Sequence, residues 1–241
     1  MKSQLPTVHG EYESLCIIMS CDYAKLRLYF KLCGTALVRS CELVNASEAP
    51  LTVTKLMSMM ADIKGEFTMT TLDGSWIAET HEHNVPVSYS KSVNESLTGF
   101  SSNRHNPAFM LSDGDDVYGF NLIYSGNHYA SVQKSHQNFT RIMQGVNFDS
   151  FSLTLSPGES FETPEAVLCY SSAGKNAMST LMHRFVSEHI IPSFWKNRVR
   201  PLLYNNWEGC MFDFTESKLL SLAKKAKALG CELFVLDDGW F

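Results

Sequence analysis

A strand–helix–strand at the C-terminal end constrains this sequence more than any other feature. Leu202-Leu203-Tyr204-Asn205-Asn206 reads as a short buried strand. A helix follows from about Thr215, with Leu219, Leu222, Ala223, Ala226 and Leu229 facing inward and Gly230 placed to stop it in a left-handed cap. Glu232-Leu233-Phe234-Val235-Leu236 reads as a second buried strand, parallel to the first because a crossover helix joins them. Two parallel strands and one helix cannot bury both faces of a parallel sheet. The expectation is the opening quarter of a (β/α)8 barrel, a fold of about 250 residues. The chain is expected to be cut short, since it stops at Phe241, five residues after Leu236.

The region before it follows a different period. Leu26 to Leu32 alternates, with Leu26, Leu28, Phe30 and Leu32 on one face and Arg27, Tyr29 and Lys31 on the other. Ala36 to Val44, Phe67 to Leu72, Val117 to Tyr124, Tyr129 to Val132 and Phe151 to Leu155 read as further strands. Polar turns separate them: Asn45 to Pro50, Asp73-Gly74, Asp113-Gly114-Asp115, Ser125-Gly126-Asn127 and Ser156-Pro157-Gly158. Many strands joined by short turns imply an antiparallel sandwich. Met178, Leu181, Met182, Phe185, Val186 and Ile190 then recur at helical spacing, so a helix is expected over Ala177 to Ile190, ahead of Pro192. Ser193 to Pro201 reads as an irregular basic linker. The expected organisation is a sandwich over 1–176, incomplete at its N-terminus, a linker helix and connector over 177–200, and the barrel start over 201–241.

Composition narrows the function. The net charge of −5 leaves no basic stripe for nucleic acid or anionic lipid. No stretch approaches the roughly 18 apolar residues of a membrane span, and Met1 to Gly10 lacks the apolar core of a secretory signal. The seven cysteines form no CxxC pair, and most stand in apolar runs, as Cys169 does. Buried free thiols in a reducing compartment follow, and the expected location is the cytoplasm. No metal or cofactor is implied, and no glycine-rich loop follows either barrel strand to hold a phosphate.

In parallel α/β folds, sites form at the C-terminal ends of strands. Asn205-Asn206-Trp207-Glu208 ends the first strand and Asp237-Asp238-Gly239-Trp240 the second. Carboxylates beside an indole suit a sugar: the oxygens accept hydrogen bonds from vicinal hydroxyls, and the ring covers the C–H face. Taken alone, Asp237-Asp238 reads equally well as a helix cap and turn. The two are poor candidates for a glycosidase's catalytic pair, because neighbours in an extended segment point to opposite sides, whereas a retaining pair faces across about 5 Å.

These residues also carry a resemblance. Arg200 to Glu208, Phe212-Asp213-Phe214 and Leu233 to Phe241 are similar to the barrel entry of glycoside hydrolase family 36 α-galactosidases. Upstream, Leu72-Asp73-Gly74-Ser75-Trp76, Ser101-Ser102 with His105-Asn106-Pro107, Val117-Tyr118-Gly119-Phe120 with Tyr124 to Asn127, and Pro157 to Phe161 with Thr163-Pro164-Glu165 match in the same order. The resemblance runs from about Leu26 to the end of the chain.

It implies an N-terminal β-supersandwich, a catalytic barrel, and retaining hydrolysis of terminal α-1,6-galactosides such as melibiose and raffinose. It implies that Asp237 and Asp238 bind galactose hydroxyls and that Trp207 lines the same pocket. It further implies that Trp76 reaches a substrate site, from a neighbouring subunit in tetrameric members, so a homo-oligomer is expected. Read without it, Trp76 would be sandwich core. Trp240 is expected to pack beneath the barrel top, Glu208 to be structural or to support the residues that touch the sugar, and His105 to serve either a subunit interface or a loop. The family's nucleophile and acid/base, aspartates on later strands, have no match here, so the chain alone is expected to be inactive. The other reading is a carbohydrate-binding or structural β-sandwich module without activity.

Overall fold

The computed structural model describes residues 5–101, 104–149 and 151–241, and the chain divides into two compact units that meet at Ile190/Ile191. The first unit holds fifteen strands: β1 (Glu13–Ser20), β2 (Ala24–Cys33), β3 (Ala36–Asn45), β4 (Leu51–Val53), β5 (Met57–Ile63), β6 (Thr68–Ser75), β7 (Ala78–Pro86), β8 (Ser92–Glu95), β9 (His105–Asp113), β10 (Asp116–Leu122), β11 (His128–Lys134), β12 (Thr140–Val146), β13 (Leu153–Leu155), β14 (Ser160–Glu162) and β15 (Ala166–Ser171). Nine of them form one sheet in the order β1-β2-β3-β15-β10-β9-β6-β7, with β14 also pairing β3. Four form a second sheet, β5-β12-β11-β8, and β13 pairs with β4. Every pairing in the unit is antiparallel.

Alternation along the central strands builds two cores. Phe120, Leu122, Phe109 and Leu111 of the large sheet pack against Met59, Val132 and Ile142 of the small one. Val117, Val167 and Cys169 emerge on the opposite face and meet helix α1 (Gly174–Phe185) through Met178 and Phe185. Each such side chain contributes roughly 1.5–3 kcal/mol by burial. Gly119 permits the close approach of α1: a Cβ there would lie 2.5 Å from Met178 Sδ.

In the first unit the structure differs from expectation at the helix, at Asp73-Gly74 and on β2. The helix starts at Gly174, not Ala177, and its last turn, Val186–Ile190, is a π-helix. It also packs on the sheet of the first unit, because Met178 and Phe185 need that apolar cover. Asp73-Gly74 is no turn but a bulged stretch of β6, and the reversal falls at Trp76-Ile77, since β6 is paired on both edges as far as Asp73. On β2 the apolar and polar positions are alike half-buried and Leu32 is exposed, because β1 beside it carries no cover on either face.

The second unit contains α2 (Ser193–Lys196), β16 (Leu203–Asn205), α3 (Trp207–Cys210), α4 (Glu216–Ala228) and β17 (Leu233–Val235). The segment expected to be irregular throughout thus carries the short α2. Strands β16 and β17 are parallel, with Leu203, Tyr204 and Asn205 opposite Leu233, Phe234 and Val235. Thr215 caps α4 by accepting the Lys218 N–H at 3.3 Å. At the other end Cys231 N–H bonds to Ala226 O and Gly230 N–H to Lys227 O, the paired bonds of a Schellman cap, with Gly230 at φ 89. Leu229, expected inside, is 82% exposed because it falls on this cap. The strands are not buried on both faces either, for Leu203 and Leu233 are exposed. A single helix covers one side of two strands only. No helix among the described residues is long and apolar enough to cross a membrane.

All seven cysteines are free, but only Cys33, Cys41 and Cys169 are buried; Cys16 and Cys21 are exposed on or beside β1. Burial raises the buried thiols, Cys169 to about 11, so they are inert as nucleophiles.

Candidate functional site

The ends of β16 and β17 are tied together by side chains. Asn205 Nδ2 donates to Asp237 Oδ2 at 2.5 Å, and Asn205 Oδ1 accepts the Trp207 N–H at 2.8 Å. Asn206 is fully buried, and its Oδ1 accepts the Asp237 N–H at 2.8 Å. Its own N–H reaches Val235 O across the strands at 3.3 Å. The loop after β17 then folds on its acids: Asp238 N–H donates to Asp237 Oδ1 at 2.7 Å and Gly239 N–H to Asp238 Oδ1 at 2.9 Å. The Asn205 amide, and after it the Asp238 N–H, hold the Asp237 carboxyl below the usual carboxylate range. Asp237 is therefore an anion at neutral pH, and a carboxylate with about four acceptor positions still has room for hydroxyl donors.

An apolar contact ties the same loops. The Trp207 ring stands edge-on to Phe212 at 4.9 Å. Gly239, at φ 87, lies so close that a Cβ would be 2.8 Å from Phe212 Cδ1. Phe212 thus fills the space between the indole and the acidic loop. Met211, which turns the chain from α3 into Phe212, holds φ 44, a conformation costly for a residue with a Cβ. Glu208 is exposed on α3. Trp240, expected to pack beneath a barrel top, is 70% exposed and meets Phe241 edge-on.

Trp207, Asp237 and Asp238 are thus brought to one end of one small sheet. The sequence places Asn205 and Asn206 in the strand-end cluster without a role; the structure gives them one, as the side chains that tie the two loops. The arrangement offers carboxylate acceptors beside an indole. It offers no facing pair of acids, since Asp237 and Asp238 are consecutive and Asp237 is engaged on both oxygens.

Trp76 belongs to the other unit. It forms the tip of the β6–β7 hairpin, 83% exposed, so it is not sandwich core. Ile77 and Thr80 beside it hold φ 64 and φ 60, unusual for β-branched residues. Close behind this tip Asp73 lies 3.2 Å from His83 Nδ1 and 3.8 Å from His105 Nε2. His105 Nδ1 is 2.8 Å from Glu95 O, so this ring fastens β9 to the end of β8. Ser102 and Asn103, in the stretch before it, lie outside the described residues.

Comparison with known proteins adds three findings. The family model described as "Glycosyl hydrolase family 36 N-terminal domain" matches residues 2–156, and the one described as "Melibiase" matches 160–241. Alpha-galactosidase 1 of Pediococcus pentosaceus is 39% identical over 210 residues, covering 84% of this chain and 29% of its own length. Alpha-galactosidase 2 of Hypocrea jecorina is 39% identical over 214 residues, covering 86% and 29%. The chain therefore spans about 29% of the length of these curated relatives. Among solved structures, the α-galactosidase from Lactobacillus brevis superposes with a TM-score of 0.92 at 32% identity, over 100% of this chain and 34% of that one. An AgaA variant from Geobacillus stearothermophilus, in complex with raffinose, does so with a TM-score of 0.90 at 32% identity, over 98% and 35%.

Proposed function

The chain belongs to glycosyl hydrolase family 36, and from that premise we propose that it forms part of a retaining α-galactosidase acting on terminal α-1,6-galactosides of the melibiose and raffinose type. Asp237 and Asp238 accept hydrogen bonds from galactose hydroxyls, and Trp207 supplies an apolar wall beside them. The observation that carries this reading is the pairing of the two strand ends, which holds an ionised carboxylate and an indole in one loop cluster through Asn205. The raffinose bound to the Geobacillus stearothermophilus relative supports the substrate class. Trp76, exposed at a hairpin tip, is free to meet a sugar or a second copy, and a homo-oligomer is part of the proposal. The cytoplasmic location is also proposed, on the apolar setting of Cys33, Cys41 and Cys169.

The chain by itself binds without cleaving. Retaining hydrolysis needs a carboxylate aimed at the anomeric carbon and a second acid about 5 Å away. Asp237 and Asp238 do not form such a pair. The test uses a longer protein that carries this chain and hydrolyses p-nitrophenyl α-galactoside. Asp237→Ala and Asp238→Ala should each lower kcat/KM at least tenfold, the scale of one lost charge-assisted hydrogen bond. Unchanged kcat/KM in both variants would remove these residues from the site.

A further inference from the structure

Two consecutive asparagines grip the same aspartate by different groups. Asn205 Nδ2 holds the Asp237 carboxylate, and Asn206 Oδ1 holds the Asp237 main-chain N–H. Asn205 spends its other side-chain atom on the Trp207 N–H, so one amide touches both the loop after β17 and the first residue of α3. We propose that Asn205 is the positioning residue of this site: it locks the Asp237 carboxylate to the Trp207 end of α3, so that the acceptor for a sugar hydroxyl and the indole beside it keep one spacing. The inference rests on the galactose-binding reading and deepens it.

Only an amide does this with one short side chain. The position needs a donor toward a carboxylate and an acceptor toward a main-chain N–H at the same time. Asparagine has both; aspartate lacks the donor and serine is too short to span the two. Asn206 cannot replace it, because its own amide faces the Asp237 main chain and Cys210 Sγ, at 3.5 Å. The Asp237 carboxylate keeps acceptor positions for hydroxyls, since Asn205 and the Asp238 N–H occupy one on each oxygen.

Asn205→Asp isolates the contact. It keeps an oxygen for Trp207, removes the donor to Asp237 and sets a second negative charge in its place. Two carboxylates then face each other, and they close the gap only in acid, by sharing a proton. The other titratable side chains on these elements are Tyr204 on β16, Asp238 in the loop and Glu208 and Cys210 on α3. The experiment is NMR of the 241-residue chain, following the Asp237 carboxyl carbon and the Trp207 amide, with and without galactose, at neutral pH and in acid. In the wild type the Trp207 amide should follow the titration of Asp237, and galactose should shift both signals. In Asn205→Asp the coupling should vanish at neutral pH and galactose affinity fall about tenfold or more; both should return in acid. Asn205→Ala should lose both at every pH.

A folded Asn205→Asp chain that binds galactose like the wild type at neutral pH overturns the proposal, as does one whose loss is the same at every pH. If galactose shifts nothing in the wild type, the galactose reading fails. The positioning lock is then judged on the Trp207 amide alone, which must follow Asp237 in the wild type and not in the variant.

Discussion

His128 and Asn94 face each other inside the sandwich: His128 Nε2 lies 2.9 Å from Asn94 Oδ1, and neither residue shows more than 1% of its surface to solvent. Burial, and after it the charge of His105, lowers the His128 pKa from 6.5 to about 4. The folded chain therefore holds this imidazole neutral, while the unfolded chain protonates it near 6.5. Where the unfolded state binds more protons, stability rises with pH. The contribution is complete above 6.5 and is lost as the pH falls to about 4. Its size is on the order of 3 kcal/mol. Urea unfolding across this window should show the loss in the wild type and a flatter profile in His128→Gln. Glu42, Asp62 and Glu82, also lowered, have ordinary values of 4.5 or below and act further into acid. Equal slopes in the two proteins would remove His128 from the acid response.

Met178 is fully buried where α1 crosses Gly119. Met178→Ala removes a side chain that the rigid sheet beneath cannot replace, and should cost about 2–5 kcal/mol in the first unit's unfolding free energy. Denaturant titration checks it. A loss under about 1 kcal/mol would mean that α1 is not seated on the sheet.

The two ends of α4 make separate predictions. Thr215→Ala deletes the acceptor for Lys218 N–H and should cost about 1 kcal/mol. Gly230→Ala forces a Cβ into φ 89 and should cost about 1–2 kcal/mol. Amide exchange should speed first at the helix start in one variant and at its cap in the other. Exchange unchanged in both would contradict the capping geometry.

Trp76→Ala should leave the stability of the chain within about 0.5 kcal/mol, because the indole is 83% exposed. Thermal unfolding measures this. A loss of several kcal/mol would return Trp76 to the core.

Turn chemistry made much of the sandwich legible. Gly114-Asp115, Ser125-Gly126-Asn127 and Ser156-Pro157-Gly158 all stand between strands. Asp73-Gly74 misled because its neighbours on two strands, not its own preference, hold it in a bulge. The true reversal at Trp76-Ile77 puts a β-branched residue at φ 64, which no local signal favours. Strand β1 escaped notice because its Cys16-Ile17-Ile18-Met19 run does not alternate with polar residues. At the site, Trp207, Asp237 and Asp238 were visible from their strand-end positions and a family resemblance. Asn205 was visible in the same cluster but its role was not, because what gives it one is a contact 32 residues away in sequence.

The proposed role of this chain is a galactose-binding part of a family 36 α-galactosidase, without a catalytic pair of its own. Its most direct test is p-nitrophenol release from p-nitrophenyl α-galactoside by two purified proteins. One is the 241-residue chain; the other is a longer product that joins it in frame to the coding DNA on either side. The longer protein should release p-nitrophenol, and the chain none above background. Turnover by the chain alone, or by neither protein, would contradict that role.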